Sequence, residues 1–180
     1  MFLKKIVSKL RGNNDLEKLQ KMGLVLGKNC SISPNAEIDY SHCWLIKIGN
    51  DVTITSHCII LAHDASTKRD LGYAKIGKVV IEDNVFIGVN SVILPNTCIG
   101  TNTIIGAGSV VCGNIEANSV YAGVPAVKIC DKQDFLNKHS DAIQNCAKVF
   151  DESYTIRKNI SDAKKKEMLD KLDSGVGYVE

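Results

Sequence analysis

The sequence is poor in aromatic residues and contains no long apolar run. Aromatic side chains make up only 6% of the 180 residues, although the hydrophobic fraction reaches 44%. No window approaches the ~18 consecutive apolar residues of a membrane-spanning helix, and the N-terminus lacks the apolar stretch and cleavage site of a signal peptide. We therefore expect a cytoplasmic protein whose core consists of stacked aliphatic side chains.

The charge, cysteine and histidine patterns also lack the signatures of several functional classes. A formal net charge of +2 indicates no particular polyanionic partner. The seven cysteines include no CxxC pair and the histidines no HxH or HxxxH spacing, so we predict reduced thiols and no metal. Nucleotide-binding Gly-rich loops, kinase motifs and helix-turn-helix patterns are absent, and we expect no nucleic-acid partner.

A six-residue repeat dominates the sequence from Ile81 to Glu116. Its consecutive units read IEDNVF, IGVNSV, ILPNTC, IGTNTI, IGAGSV and VCGNIE. The fifth position of the successive units is taken by Val85, Ser91, Thr97, Thr103, Ser109 and Ile115. A period of six fits neither an α-helix nor a simple hairpin sheet. It predicts one short strand and one corner per unit, with three units closing a triangular coil.

The repeat also predicts how each unit packs. The branched first residue points inward and stacks on its equivalents in the coils above and below, while a small fifth residue fits near the corner. Gly and Asn occupy turn positions that favour positive φ. Neighbouring coils pair as parallel strands about 4.8 Å apart.

These units resemble the hexapeptide-repeat acyltransferases, and the resemblance extends from about Leu26 to Ile129. It implies an all-β dominant fold, a left-handed parallel β-helix with short N-terminal and C-terminal helices, whose handedness departs from the usual rule for parallel crossovers. In members similar to the maltose, galactoside and surface-polysaccharide O-acetyltransferases, it implies transfer of an acetyl group from acetyl-CoA to a sugar hydroxyl. The family also implies a homotrimer with its sites between subunits.

The segments on either side of the repeat differ from it in composition. Residues 1–23 are basic and amphipathic, and we interpret them as a helical cap on the open end of the coil, in preference to a contact with an anionic membrane surface. Residues 130–180 are polar and predict a C-terminal helical extension, with helices over Lys132–Val149 and Asp162–Leu172.

Residues 24–129 form the predicted acyltransferase domain, and its repeat is interrupted twice. The first break, Cys43–Lys47, contains a four-residue insertion, and the second is a loop over residues 66–75. An insertion in a solenoid emerges at a corner as a loop on one face. The second loop lies just after His63, so we expect it to form a wall of the site and to reach a neighbouring subunit.

His63 is the predicted catalytic residue. An imidazole can take the proton of an attacking alcohol and later return it to a departing thiolate. The resemblance implies this role for the histidine at this point before the loop. Asp64 follows directly and could pair with the imidazole, but adjacent strand residues point to opposite faces. We therefore expect a backbone carbonyl to fix the tautomer.

The sequence DYSHCW lies one coil below His63 and is the candidate acceptor site. His42, with Asp39 and Ser41, could contact an acceptor sugar or make corner hydrogen bonds. Asp64 is a further candidate for acceptor contact.

The later coils predict the donor site. Small residues at successive corners leave a groove for a narrow pantetheine arm. In the family an aromatic residue lies beside the catalytic histidine, and a cation reaches the coenzyme phosphates after the Pro-small pair of the terminal YAGVPA. The coenzyme A contacts implied by the resemblance are Phe86, Gly88, Ala107, Gly108 and Cys112. Val127 takes the place of the family's phosphate-binding cation, and Lys128, which follows it, is the candidate cation here.

Other functions stay open at this stage. Serine acetylation and amino-sugar N-acetylation use the same donor, although serine acetyltransferases carry a large helical domain where only about 23 residues precede this repeat. A non-catalytic scaffold is another alternative. A carbonic-anhydrase-like protein would require three zinc-binding histidines at a subunit interface.

Overall fold

The computed structural model describes residues 16–145, 148–173 and 175–180, so residues 1–15 of the predicted N-terminal cap lie outside the described chain. The chain divides into two compact units, residues 1–132 and 133–180. Within the described residues, no helix is long and apolar enough to cross a membrane.

The described elements are mainly short strands. The helices are α1 Leu16–Lys21, α2 Lys68–Leu71, α3 Lys132–Asn145 and α4 Asp162–Leu172, with 3₁₀ turns at Cys43–Leu45, Glu152–Tyr154 and Ile156–Lys158. The strands are β1 Val25–Leu26, β2 Ser31–Ile32, β3 Glu37–Ile38, β4 Ile46–Ile48, β5 Thr53–Ile54, β6 Ile59–Ile60, β7 His63–Asp64, β8 Lys75–Ile76, β9 Val79–Ile81, β10 Phe86–Ile87, β11 Val92–Ile99, β12 Ile104–Ile105, β13 Val110–Ile115, β14 Ser119–Gly123, β15 Ala126–Asp131, β16 Lys148–Phe150 and β17 Gly177–Val179.

The first unit is a parallel β-helix with three faces. The first face stacks β1, β4, β9 and the ends of β11 and β13. The second stacks β2, β5, β10, β12 and β14. The third stacks β3, β6 and the beginnings of β11 and β13. Every one of these pairings is parallel, so the chain rises by one layer each time it passes round the three faces.

The first residues of the repeat units fill the core, as predicted. Eight of these isoleucines are at most 1% exposed: Ile48, Ile54, Ile60, Ile81, Ile87, Ile93, Ile99 and Ile105. Burial of one such side chain contributes roughly 1.5–3 kcal/mol. The aliphatic stack therefore supplies the main stabilisation of the coil, which explains how a chain with so few aromatic residues can fold.

The corners confirm the steric reading of the repeat. The fifth-position hydroxyls of Ser91 and Ser109 are fully buried and donate to the carbonyl oxygens of Gly88 and Gly106, at 2.7 and 2.6 Å. At the fourth position, Asn90 has a φ of 61°, in the left-handed region that asparagine tolerates better than most residues. A turn former is thus needed at the fourth position of the unit and a small residue at the fifth.

The predicted unbroken period of six is wrong at its last unit. Val111 pairs with Ile93, 18 residues earlier, whereas Ile115 pairs with Ile99, 16 residues earlier. Ile115 consequently opens the next unit and does not occupy a fifth position. Gly113, with a φ of 77°, makes the tighter corner that removes two residues from the coil.

Both breaks in the repeat produce excursions from the coil. The first is the 3₁₀ turn at Cys43–Leu45, which buries Cys43 and leaves Trp44 53% exposed. The second is an antiparallel hairpin in which β7 pairs with β8, with α2 between them. The predicted loop 66–75 therefore contains a helical turn, which ends at Gly72 with a φ of 77°.

The two ends of the described chain carry helices. In the first unit α1 packs on the first coil through Leu19, which is 4% exposed and belongs to the coil's core cluster. In the second unit α3 ends at Asn145, before the predicted end at Val149. Val149 lies instead in β16, which pairs with β17, so strand pairing replaces the last helical turn.

Candidate active site

Strand pairing between two successive coils brings Asp39 and His63 together. Ile38 at the end of β3 pairs with Ile60 at the end of β6, and the amide of Asp39 donates to the carbonyl of Ile60 at 2.9 Å. His63 begins β7 three residues after β6 ends. Both side chains therefore leave the third face at the same corner, one layer apart.

The carboxylate of Asp39 holds the imidazole of His63. Oδ2 of Asp39 lies 2.5 Å from Nδ1 of His63 and accepts from the amide of Ala62 at 3.0 Å. Oδ1 accepts from the hydroxyl of Ser41 at 2.7 Å and from the amides of Ser41 and His42 at 2.9 and 3.2 Å. The Asp39 side chain is 1% exposed, whereas that of His63 is 33% exposed.

The hydrogen bonds to Asp39 indicate which residue of this pair holds the shared proton. Burial raises the pKa of Asp39, but hydrogen bonds from His63, Ser41 and the amide of Ala62 outweigh it and lower the pKa from 3.8 to about 2. The carboxylate is therefore ionised near neutral pH and can only accept. The proton between the two residues lies on Nδ1 of His63, which leaves Nε2 as a proton acceptor directed away from Asp39.

This geometry corrects two sequence-based expectations. A backbone carbonyl was expected to fix the tautomer of His63, and this is wrong because the carboxylate of Asp39 makes that contact. Asp39 was also expected to contact an acceptor, but its buried carboxylate is directed at its protein partners. Neither result was visible in the sequence, because the two residues are 24 positions apart and an insertion lies between them.

Asp64 has a different partner. Its Oδ1 accepts from the amide of Ser66 at 2.9 Å, and this hydrogen bond is the main cause that lowers the pKa of Asp64. Asp64 and His63 are neighbours on β7, where adjacent side chains point to opposite faces. The Asp64 carboxylate thus stabilises the turn into the hairpin.

Ser41 and His42 extend the cluster around His63. The hydroxyl of Ser41 lies 3.0 Å from Nδ1 of His42 and 3.2 Å from Nδ1 of His63. The ring centroids of the two histidines are 5.1 Å apart, and the ring of Trp44 lies 5.3 Å from that of His42. The predicted catalytic residue and the predicted acceptor residues of DYSHCW thus form one cluster.

An open cavity of about 390 Å³ lies beside His63. Its lining residues are Glu37, Ile38, Asp39, Tyr40, Ser41, Ile59, Leu61 and His63. Sequence reasoning missed Glu37, Tyr40, Ile59 and Leu61. Glu37 and Ile59 are paired across β3 and β6, so a correct alignment of these two coils could have identified them.

Three of the clustered side chains are of types that bind metals. Ligand atoms of Asp39, His42 and His63 all lie within 4.8 Å of one another. The Ser41 hydroxyl lies within hydrogen-bond distance of all three side chains, where a shared metal ion would have to bind. In this arrangement Nδ1 of His63 is bonded to Asp39 and is not available to an ion shared by the three residues.

The predicted coenzyme residues divide into exposed and buried groups. Ala107, Gly108 and Cys112 are exposed, and Phe86 on the second face is 42% exposed. Gly88 is buried, and its amide donates to the carbonyl of Ile105 at 2.8 Å.

Gly88 therefore has a packing role. A Cβ at this position would lie 2.5 Å from the backbone nitrogen of Ala107 in the next coil, so only glycine fits. Its carbonyl is also occupied, since it accepts from the hydroxyl of Ser91 at 2.7 Å. The expected contact between Gly88 and the coenzyme is not supported by this position inside the coil.

Lys128 lies on β15, opposite Tyr121 of β14. Its Nζ is 2.9 Å from carboxylate oxygens of both Glu116 and Asp131. Hydrogen bonds to Asp131 and then to Glu116 raise the pKa of Lys128. A phosphate would have to compete with these two carboxylates for the ammonium group.

Known proteins resemble this chain in sequence and in fold. A family model described as bacterial transferase hexapeptide (six repeats) matches residues 78–113. Protein CapG of Staphylococcus aureus is 39% identical over 133 residues, which cover 71% of this chain and 77% of CapG. The putative lipopolysaccharide biosynthesis O-acetyl transferase WbbJ of Escherichia coli is 35% identical over 122 residues, 59% of this chain and 62% of WbbJ.

A solved structure of a hexapeptide-repeat-containing acetyltransferase from Vibrio cholerae has a TM-score of 0.53 and 23% sequence identity with this chain. The match covers 69% of this chain and 86% of that one. The chain belongs to the bacterial hexapeptide-repeat transferases. Within this class it is an acyltransferase.

Proposed function

We propose that this protein is an acetyl-CoA-dependent O-acetyltransferase that acts on a hydroxyl of a sugar or sugar-containing acceptor, with His63 as the general base. The pairing of His63 with the buried carboxylate of Asp39 carries this proposal, because it leaves a basic Nε2 beside an open cavity. A histidine that is oriented and charge-stabilised in this way suits proton transfer in acyl transfer.

The reaction needs no covalent enzyme intermediate. Nε2 of His63 removes the proton from the acceptor hydroxyl as its oxygen attacks the thioester carbonyl. The tetrahedral intermediate then collapses, the carbon–sulfur bond breaks, and the imidazolium returns the proton to the departing thiolate. Asp39 stays ionised, because its pKa is lowered to about 2, and its negative charge stabilises the imidazolium.

The donor is acetyl-CoA, which binds as a co-substrate along the later coils. Ala107, Gly108 and Cys112 are small, exposed residues there, which leaves room for the pantetheine arm. Phe86 supplies an exposed aromatic surface. Lys128 is the candidate phosphate-binding cation, once it exchanges a carboxylate partner for a phosphate oxygen.

The acceptor binds next to His63, on the side of the first coil. Ser41 and His42 lie close enough to His63 to contact the acceptor, whereas the carboxylate of Asp64 is held by the amide of Ser66. The name of WbbJ, a putative lipopolysaccharide biosynthesis O-acetyl transferase, supports a role in surface-polysaccharide biosynthesis. We also propose that the coil is left-handed and that the protein is located in the cytoplasm.

The active unit is a homotrimer with its sites between subunits. A coil with flat faces can pack three copies around a threefold axis, and this closed symmetry stops further growth. The cavity at His63 is open on a single chain and gains a second wall from a neighbour. Leu71 and Tyr73, which are 67% and 80% exposed in the hairpin after His63, are suited to such a contact.

Release of free thiol from acetyl-CoA, measured with a panel of acceptors, tests the proposed function. The panel contains methyl hexopyranosides, 2-amino sugars and serine. We expect thiol release with a hydroxyl sugar and an O-acetyl product identified by NMR. Turnover with only serine or only the amino sugars would replace the proposal by one of those sister activities, and turnover with none would reject it.

A further inference from the structure

The hydrogen bonds around Ser41 fix the proton positions of the cluster. Its Oγ lies 2.7 Å from Oδ1 of Asp39, a distance that requires a proton between the two oxygens. The Asp39 carboxylate is ionised and has no proton to give, so the Ser41 hydroxyl donates. A hydroxyl has only one hydrogen, and Ser41 can therefore act only as an acceptor toward the imidazoles.

Because the single hydrogen of the Ser41 hydroxyl is donated to Asp39, the tautomer of His42 is also determined. Nδ1 of His42 lies 3.0 Å from Oγ of Ser41, so it carries the proton of that hydrogen bond. In the neutral ring the other nitrogen, Nε2, then has an unshared lone pair. His63 has the same tautomer, because its Nδ1 donates to Asp39. Two imidazoles with ring centroids 5.1 Å apart thus both present an Nε2 acceptor.

We propose that His42 is an acceptor-binding residue whose Nε2 receives a hydrogen bond from a second hydroxyl, on the carbon next to the one that is acylated. This inference rests on the proposed function and narrows its substrate class to acceptors that contain a vicinal diol. His63 accepts the proton of the reacting hydroxyl, and His42 accepts the hydrogen bond of its neighbour.

The surroundings of His42 fit a sugar. Neighbouring hydroxyls of a pyranose ring are about one hydrogen-bond length apart, so two acceptors on adjacent rings can be engaged together. Trp44 is 53% exposed and its ring lies 5.3 Å from that of His42, which adds an aromatic surface to the polar cluster. Residues at the insertion after the first coil therefore bind the acceptor, and the corner after the second coil provides the general base, His63.

The tautomer can be tested without any acceptor. Long-range ¹H–¹⁵N spectra of protein labelled with ¹⁵N-histidine, recorded where the imidazoles are neutral, should show protonated Nδ1 and unprotonated Nε2 in both His42 and His63. In Ser41→Ala, His42 should lose its single preferred tautomer, whereas Nδ1 of His63 should stay protonated because it keeps its bond to Asp39. A protonated Nε2 on His42 in the unsubstituted protein would overturn the inference.

The recognition step is tested with two variants of His42 and one control. In His42→Asn the amide can still donate to Ser41 but has no group at the Nε2 position, whereas His42→Gln reaches that position. His57→Asn is the matched control, because His57 is exposed at a corner with a φ of 59°, a conformation that asparagine adopts at other corners of the coil.

The measured quantity is the preference for a diol. It is the ratio of kcat/KM for the best methyl glycoside to that for its monodeoxy analogue, which lacks the hydroxyl next to the acetylated one. We expect a ratio of about tenfold in the unsubstituted protein and in His57→Asn, because one hydrogen bond is lost with the analogue. The ratio should fall to about one in His42→Asn and recover in part in His42→Gln.

The outcomes separate this inference from the proposed function. A tenfold preference that survives in His42→Asn, or no preference in the unsubstituted protein, overturns the role of His42 while sugar acetylation stands. Absence of thiol release with every sugar rejects the proposed function itself, even if the spectra show the expected tautomer of His42.

Discussion

Replacement of Asp39 by asparagine tests the arrangement of the site most directly. Asparagine preserves the shape of the side chain but exchanges one acceptor oxygen for an NH₂ donor and removes the charge. Both carboxylate oxygens of Asp39 already accept from N–H or O–H groups. Any orientation of the amide therefore sets a donor against a donor. With the NH₂ at the Oδ2 position, His63 must move its proton to Nε2. With the NH₂ at the Oδ1 position, the amides of Ser41 and His42 lose their acceptor, and His63 keeps a neutral partner that cannot stabilise its imidazolium by charge.

The expected cost follows from the same contacts. The pKa of Asp39 is 3.8 before folding and about 2 in the folded protein, and a difference of this size corresponds to about 2 kcal/mol of stabilisation. One buried donor left without a partner costs about 1–3 kcal/mol more. We expect Asp39→Asn to lower the free energy of unfolding by about 2–5 kcal/mol and kcat/KM by roughly 10²–10⁴-fold, since the wrong tautomer leaves no base.

The assay combines thiol release with urea denaturation, and Asp64→Asn is the matched control. Asp64 is adjacent to His63 in sequence but its carboxylate accepts from the amide of Ser66. The control removes the same charge next to the same histidine, and we expect kcat/KM to stay within about threefold, because surface charges act weakly. Equal losses in the two variants, or near-normal activity in Asp39→Asn, would refute the positioning role of Asp39.

Four further outcomes follow from the structure. The stabilisation by Asp39 should be complete above pH ~4 and disappear as the pH falls through its folded pKa of about 2. The free energies of unfolding of the unsubstituted protein and of Asp39→Asn, measured by urea denaturation, should therefore become more similar as the pH is lowered. His63→Ala should retain the oligomer mass but lose at least about 100-fold in turnover, and a near-normal rate with any acceptor would contradict its role as base. Dialysis against a chelator should leave activity intact, whereas a loss restored by zinc would favour the carbonic-anhydrase-like alternative. The segment Lys68–Gly72 includes all of α2, and none of the α2 side chains is buried. Its deletion should leave a trimer, measured by light scattering, that no longer transfers the acetyl group to the acceptor. A fully active monomer would disprove the proposed wall.

The repeat could be predicted from the sequence because the steric requirements that produce it are local. An inward isoleucine, a turn former at the fourth position and a small fifth residue are steric needs of one strand and one corner, as Ile87, Asn90 and Ser91 illustrate. These needs recur every six residues, so the coil can be predicted without knowing which residues contact across it. His63 could be selected for the same reason, since the break in the pattern directly follows it.

The partners between coils were decided by the tertiary structure alone. The contact between Asp39 and His63 depends on the pairing of β3 with β6, and the insertion at Cys43–Lys47 shifts that pairing away from the 18-residue spacing of three complete units. The two-residue slip before Ile115 is of the same kind, because a positive φ at Gly113 shortens the coil without changing the apparent sequence pattern. The spacing of residues along the chain shows which residue types each corner needs. Which side chains are in contact between coils depends on the lengths of all the preceding corners, because each insertion or deletion shifts the strand pairing that follows.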